Sequence, residues 1–269
     1  MTRYISLSLT YLERFKIKNK SEGLCEPSGL TLSHQENALW TIGDDTKKIF
    51  KLGLDGKLIK DKSFKIPEKG LEGILLDPTG KFLFAIKEQT NEIMKIKIDT
   101  EKVTERNFLK EMMGYDAIAS FFTNGGGNKG LEGIAWNEKT GTIFLLKEGP
   151  PGLLIEVSAD LQTIRSYKLL NENNGFYDTH LNSEEIDFSG ICYDLNRNCF
   201  WIVSDKAKRL FLYDWGVNNV TQSFRLGYSK KGEYREIEKA EGVTLNRDSN
   251  RLYIVSDKEA MLYVFDIRK

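Results

Sequence analysis

Lys129-Gly130-Leu131-Glu132-Gly133-Ile134 repeats, letter for letter, the stretch Lys69-Gly70-Leu71-Glu72-Gly73-Ile74. A looser copy reads Glu241-Gly242-Val243, while Ser28-Gly29-Leu30 and Ser189-Gly190-Ile191 keep the glycine alone. Counting forward from the shared glycine, the same chemistry returns in all five places. Eleven residues on stands an aromatic: Trp40, Phe84, Phe144, Trp201 and Tyr253. Fifteen on stands a carboxylate: Asp44, Glu88, Glu148, Asp205 and Asp257. Twenty on stands Ile49, Ile93, Leu153, Leu210 or Leu262. Acidic residues number 39 in 269, so five of five at one offset arises by chance on the order of once in 10⁴. The chain is an internal repeat of five units.

Each unit carries strand signals. Apolar alternation bounded by turn residues recurs at Leu39–Asp44, Phe82–Glu88, Thr142–Glu148, Cys199–Asp205 and Arg251–Asp257, with a strand before each and one or two after. Lys57–Ile66 reads as the fourth strand of the first unit. The fifth unit ends one strand short, whereas Arg3–Ile17 supplies one strand in surplus. That bookkeeping predicts an all-β, five-bladed β-propeller over residues 1–269 as a single domain, with the N-terminal strand closing the last blade. A six-bladed ring would need a blade hidden in the polar inserts at 114–128 and 171–186, where β-patterned sequence is short.

Composition narrows the function classes. The 39 basic and 39 acidic residues cancel, which excludes the broad basic footprint of a nucleic-acid binder. Three cysteines, Cys25, Cys192 and Cys199, do not make a disulfide framework. Two histidines, His34 and His180, exclude a histidine-rich zinc site. His180 lies in an insert with Asp178, Glu184 and Glu185, where it reads as a solvated loop residue. Gly125 to Gly130 matches the spacing of a dinucleotide fingerprint but precedes a strand, so it reads as a loop at the channel mouth. No run is long enough for a transmembrane segment, and no signal peptide is visible. As written the chain reads as soluble and cytoplasmic, or as periplasmic or envelope-associated if a leader has been removed.

Hairpin geometry gathers the acids. The start of the first strand and the end of the second share one edge of a blade. Glu72, Glu132 and Glu241, each just before its glycine, are expected to ring the channel, with Glu26 and Asp187 standing two residues before the serines that replace them. These five are the predicted metal ligands. Oxygen-only donors suit calcium, which takes six to eight oxygens at about 2.3–2.6 Å. Asp44, Glu88, Glu148, Asp205 and Asp257, with Lys87 and Lys147, are expected to support that set or to contact a small anionic ligand.

The order EPSGL (26–30), LEGI (71–74), KGLEGIAW (129–136), FLLKEGPP (144–151), DFSGICYD (187–194) and AEGVTLN (240–246) resembles the SdiA-regulated family, the YjiK/CarP-like calcium-regulated β-propellers, over residues 20–267. The resemblance implies a five-bladed propeller, a link to calcium, and distant kinship with phytase-like and lactonase-like propellers. Two functions follow as expectations. One is a calcium-binding propeller acting as a sensor, scaffold or ligand-binding module. The alternative is a calcium-dependent hydrolase of phosphoesters or lactones, in which Glu148 or Asp205 would serve as general base.

Overall fold

The computed structural model describes residues 6–33, 35–123, 129–182 and 185–269. Strand β1 (Ser8–Lys16) is followed by β2 (Leu30–Ser33), β3 (Ala38–Thr41), β4 (Lys48–Gly53) and β5 (Phe64–Lys65), which make the first blade. The second contains β6 (Leu71–Leu76), β7 (Phe82–Lys87), β8 (Glu92–Lys97) and β9 (Lys102–Phe108). The third contains β10 (Leu131–Asn137), β11 (Thr142–Lys147), β12 (Gly152–Val157) and β13 (Ile164–Leu170). The fourth contains β14 (Gly190–Asp194), β15 (Cys199–Ser204), β16 (Arg209–Asp214) and β17 (Asn219–Arg225). A separate hairpin, β18 (Gly227–Lys230) and β19 (Glu233–Glu236), precedes β20 (Ala240–Asn246), β21 (Arg251–Ser256) and β22 (Met261–Arg268).

Five four-stranded antiparallel sheets result, and the last has the order β1-β22-β21-β20. The ring therefore closes as the strand count requires, through pairs such as Leu9 with Ile267 and Phe15 with Leu262. Tyr11 stacks on Tyr228 with centroids 5.0 Å apart, and the Arg14 guanidinium donates to the Tyr228 hydroxyl at 2.5 Å. The six-bladed alternative is overturned, because the insert at 109–130 carries only short helical turns, including α1 (Ser120–Thr123), among its described residues. Two local expectations are corrected as well. The fourth strand of the first blade is confined to Phe64–Lys65, since Lys60–Lys62 turns into a 3-10 helix. The β18–β19 hairpin is an addition to the expected strands: apart from the buried Tyr228 its residues are half-buried or exposed, so it lacks the apolar alternation that marks a blade strand.

The core is divided as the repeat demands. Five apolar clusters fill the five gaps between blades, and each holds one aromatic from the position eleven residues after the glycine. Trp40 lies between blades one and two, Phe84 between two and three, and Phe144 between three and four. Trp201 lies between four and five, and Tyr253 between five and one. These rings are core.

The shared glycine has a different cause. A β-carbon on Gly73 would meet the Glu132 carbonyl oxygen at 2.7 Å, and one on Gly242 would meet the Leu30 nitrogen at 2.6 Å. Gly133 faces Ile191, Gly190 faces Glu241 and Gly29 faces Glu72 in the same manner. Each glycine thus abuts the innermost strand of the next blade, and the five contacts close a circle. The innermost strands come this near only because no side chain separates them. The circle narrows the channel into two mouths.

Candidate metal centre at the acidic mouth

At one mouth the innermost strands begin with β-bulges. Leu131 pairs with Lys147 and Gly133 with Leu146, leaving Glu132 as the extra residue. The register slips in the same way between Leu71 and Ile74 and between Ala240 and Val243, around Glu72 and Glu241. A bulge re-aims a side chain and releases its residue from the ladder. Here it does so three times at the same place in the repeat.

The three glutamates share an environment hostile to charge. Burial, then the charge of Asp44, pushes the Glu72 carboxyl up to about 7, although Ser28 hydrogen-bonds it. Glu132 is raised well above the usual carboxylate range by burial and by Glu72, Glu88, Glu241 and Glu148. Glu241 is raised by burial against the opposing pull of Lys239, which stands 4.0 Å away. Burial also raises Glu148, with Asp187 and Glu88 adding to the effect while Lys129 and Lys206 oppose it.

The acids do not converge as one ring of ten. Oxygens of Glu88, Glu132 and Glu148 all lie within 4.8 Å of one another. Glu88 begins a 3-10 turn after β7 and is 5% exposed; one of its oxygens accepts from the Gly130 nitrogen at 3.1 Å, which ties it to the entry of the third blade. The sequence places Glu88 and Glu148 in the supporting set and Glu132 in the metal set, so the compact trio crosses that division. A second trio, Glu26, Asp44 and Asp45, gathers at the exposed rim.

The remaining predicted residues have protein partners. Asp187 accepts from the Ser204 hydroxyl at 2.7 Å and the Lys206 nitrogen at 2.9 Å. Asp205 pairs with Lys208 at 2.5 Å and caps the Ala240 nitrogen at 3.3 Å. Asp257 is ion-paired with Lys239. Burial disfavours the Lys239 ammonium, but its hydrogen bond to Asp257 and the nearby acids outweigh that and hold its pKa at about 12. Lys87 is bound to Glu68 at 3.0 Å, and Glu68 is shared with Arg106 at 2.6 Å. Lys147 is only 2% exposed: its ammonium lies 5.5 Å from the Phe122 ring centre and donates to the Pro151 carbonyl at 3.3 Å. Desolvation lowers its pKa. His180 is exposed, and Asp178 beside it is held by Arg209 at 2.7 Å. The predicted loop at 125–128, His34 and Glu184 lie outside the described residues.

A family model for SdiA-regulated proteins matches residues 10–266. The chain belongs to the SdiA-regulated family. Among solved structures, this SdiA-regulated propeller is similar to Myxococcus xanthus glutaminyl cyclase, with a TM-score of 0.63 at 11% identity over 97% of each chain. It also matches the β-propeller domain of Cps50 (Swd1) from Myceliophteria thermophila, with a TM-score of 0.48 at 9% identity over 86% of this chain. The SdiA-regulated chain spans 62% of the length of that domain's chain. The likeness to the cyclase, at 11% identity, carries the fold and nothing finer. No helix among the described residues is long and apolar enough to cross a membrane.

Proposed function

We propose that this SdiA-regulated propeller binds calcium at its acidic mouth and acts as a sensor, scaffold or ligand-binding module. The observation that carries the reading is the trio Glu88, Glu132 and Glu148, whose oxygens lie within 4.8 Å of one another. No ion pair reaches any of the three carboxylates among the described residues. Two ionised carboxylates about 5 Å apart repel by roughly 3 kcal/mol at an effective dielectric near 20. A shared divalent cation would reverse that sign.

The donor set fits. Three oxygens within 4.8 Å of one another share a centre no more than about 2.8 Å from each, so a small inward shift brings all three into calcium's range of about 2.3–2.6 Å. The protein would offer oxygens alone, with Glu72 and Glu241 at its flanks, and calcium tolerates such an irregular shell better than magnesium. The test is calorimetric titration of the metal-free protein with calcium at pH 7.5. Saturable binding that weakens at least about tenfold in Glu148→Gln is expected; no heat at millimolar calcium would overturn the reading.

A second reading is favoured by Glu72, whose pKa of about 7 suits a general acid or base at neutral pH. On that reading the protein is a calcium-dependent hydrolase of phosphoesters or lactones. Glu148 is then a better base than Asp205, which is committed to Lys208. A panel of phosphoesters, lactones and an N-terminal glutaminyl peptide, each with and without calcium, separates the two. Calcium-dependent turnover lost in Glu72→Gln favours the hydrolase.

A further inference from the structure

Blades two to three, three to four, and four to five are joined at the acidic mouth by long segments: 109–130, 171–189 and the segment that contains the β18–β19 hairpin. Blades one and two are joined by residues 66–70 alone. The short connection leaves a cleft of about 450 Å³, lined by Asp44, Lys47, Lys69, Glu72, Lys87 and Glu88 among others. Its walls are fixed by backbone hydrogen bonds, from Ile66 to Lys47 at 3.0 Å and from Gly70 to Asp44 at 2.8 Å. Glu88 belongs both to this cleft and to the compact trio, so the cleft opens directly beside the candidate cation.

The charges lining the cleft are unequally committed. Lys87 is spent on Glu68. Lys47 and Lys69 are exposed and make no ion pair within 4.0 Å among the described residues. Glu72 and Glu88 leave the cleft net negative while the carboxylates are bare. A divalent ion shared by Glu88, Glu132 and Glu148 would offset most of the negative charge of the trio and the cleft, and would stand near two ammonium groups that have no ion pair among the described residues.

We infer that this cleft binds a phosphomonoester dianion, held by Lys47 and Lys69 with its oxygens toward the cation. The inference rests on the calcium reading and adds a ligand class and a location to it. Because the ion removes most of the negative charge that opposes an anion and itself attracts the phosphate oxygens, the two ligands bind with positive coupling, and each must raise the other's affinity by the same factor. Glycerol 3-phosphate is large enough to test the cleft and small enough to enter it.

The experiment is calcium titration of the intact chain by calorimetry, with and without glycerol 3-phosphate, for the wild type and for Lys47→Ala with Lys69→Ala. The wild type is expected to bind calcium about fivefold or more tightly with the phosphomonoester present. The double variant is expected to bind calcium at least as tightly as the wild type does alone and to lose the enhancement. Both lysines are exposed, so folding should survive, and calcium binding retained by the variant verifies that. Calcium binding without enhancement in the wild type overturns the cleft assignment and leaves the metal reading standing. Enhancement that persists in the double variant also overturns it, because the anion would then sit elsewhere. An absence of calcium binding overturns both.

Discussion

A β-carbon added to Gly73 would lie 2.7 Å from the carbonyl oxygen of Glu132, one blade away. The repeat glycine and the site glutamate are therefore two consequences of one contact. Gly73→Ala must push β6 off β10 or distort the bulge that aims Glu132. Overpacking of this kind costs about 1–3 kcal/mol, and a chain of this size loses about 2–4 °C of Tm per kcal/mol. Thermal unfolding of Gly73→Ala should show that loss together with weaker calcium binding. An unchanged Tm would contradict the close approach.

The fold was legible because its two demands fall at fixed offsets. The axial glycine admits no side chain, and the aromatic eleven residues on fills one gap between blades, so neither position drifts. The carboxylate fifteen on was legible as belonging to a face, since a hairpin fixes which edge it occupies. Which acids meet was not legible. The angle between blades and the bulges at Glu72, Glu132 and Glu241 decide that, and both depend on contacts between units rather than on pattern within one. The β18–β19 hairpin escaped for another reason. Its only signal is Lys231-Gly232, two residues with positive φ of 54° and 82° that match a tight turn between polar strands.

The buried acids should make the metal-free protein less stable as pH rises. Glu72 has a folded-state pKa of about 7 against an ordinary 4.5, and burial moves Glu132 and Glu241 in the same direction. Between the two values the folded chain holds protons that the unfolded chain has released, so unfolding becomes easier with rising pH. Between pH 5 and pH 7.5, stability should fall on the order of 1–3 kcal/mol, because each pKa unit is worth 1.36 kcal/mol. Chemical denaturation with a chelator present should show the decline, and Glu72→Gln should flatten it. A rise over that window would refute the assignment of these raised values.

Calcium should act against that decline. At pH 7.5, Tm should climb with calcium concentration by mass action on the folded state. Among single variants, Glu88→Gln and Glu148→Gln should blunt the response more than Glu241→Gln, whose carboxylate stands outside the compact trio. If Glu241→Gln proves the most damaging, the ion sits on the axis among Glu72, Glu132 and Glu241, as the sequence alone had suggested.

Closure by the first strand gives a further expectation. Arg14 donates to the Tyr228 hydroxyl at 2.5 Å and its guanidinium lies 4.9 Å from the centre of that ring, while Tyr263 donates to Glu259 at 2.6 Å beside it. Arg14→Lys keeps the charge but loses the planar fork and the stack. It should cost about 1–2 kcal/mol, whereas deletion of residues 6–16 should abolish cooperative unfolding by exposing the edge of β22. A deletion variant with wild-type melting would rule out closure by β1.

Lys147 separates the two proposed functions. Its ammonium is almost fully buried, its pKa is lowered chiefly by desolvation, and it makes no ion pair among the described residues. A folded-state pKa below the unfolded one means that the folded chain resists protonation, so the native state is weakened at neutral pH and recovers as pH rises towards 10.5. Methionine keeps the length and apolar stem without the charge. Lys147→Met should therefore raise Tm at pH 7, on the order of 1 kcal/mol in stability, and the gain should shrink at pH 10. It should also tighten calcium binding, because a cation beside Glu148 is removed. If the protein is instead a hydrolase that uses Lys147 to hold an anionic substrate, the same variant would lose turnover while gaining stability. A fall in Tm without any change in calcium affinity would refute both halves of the argument, since it would make the buried ammonium a stabilising partner that the surrounding side chains do not account for.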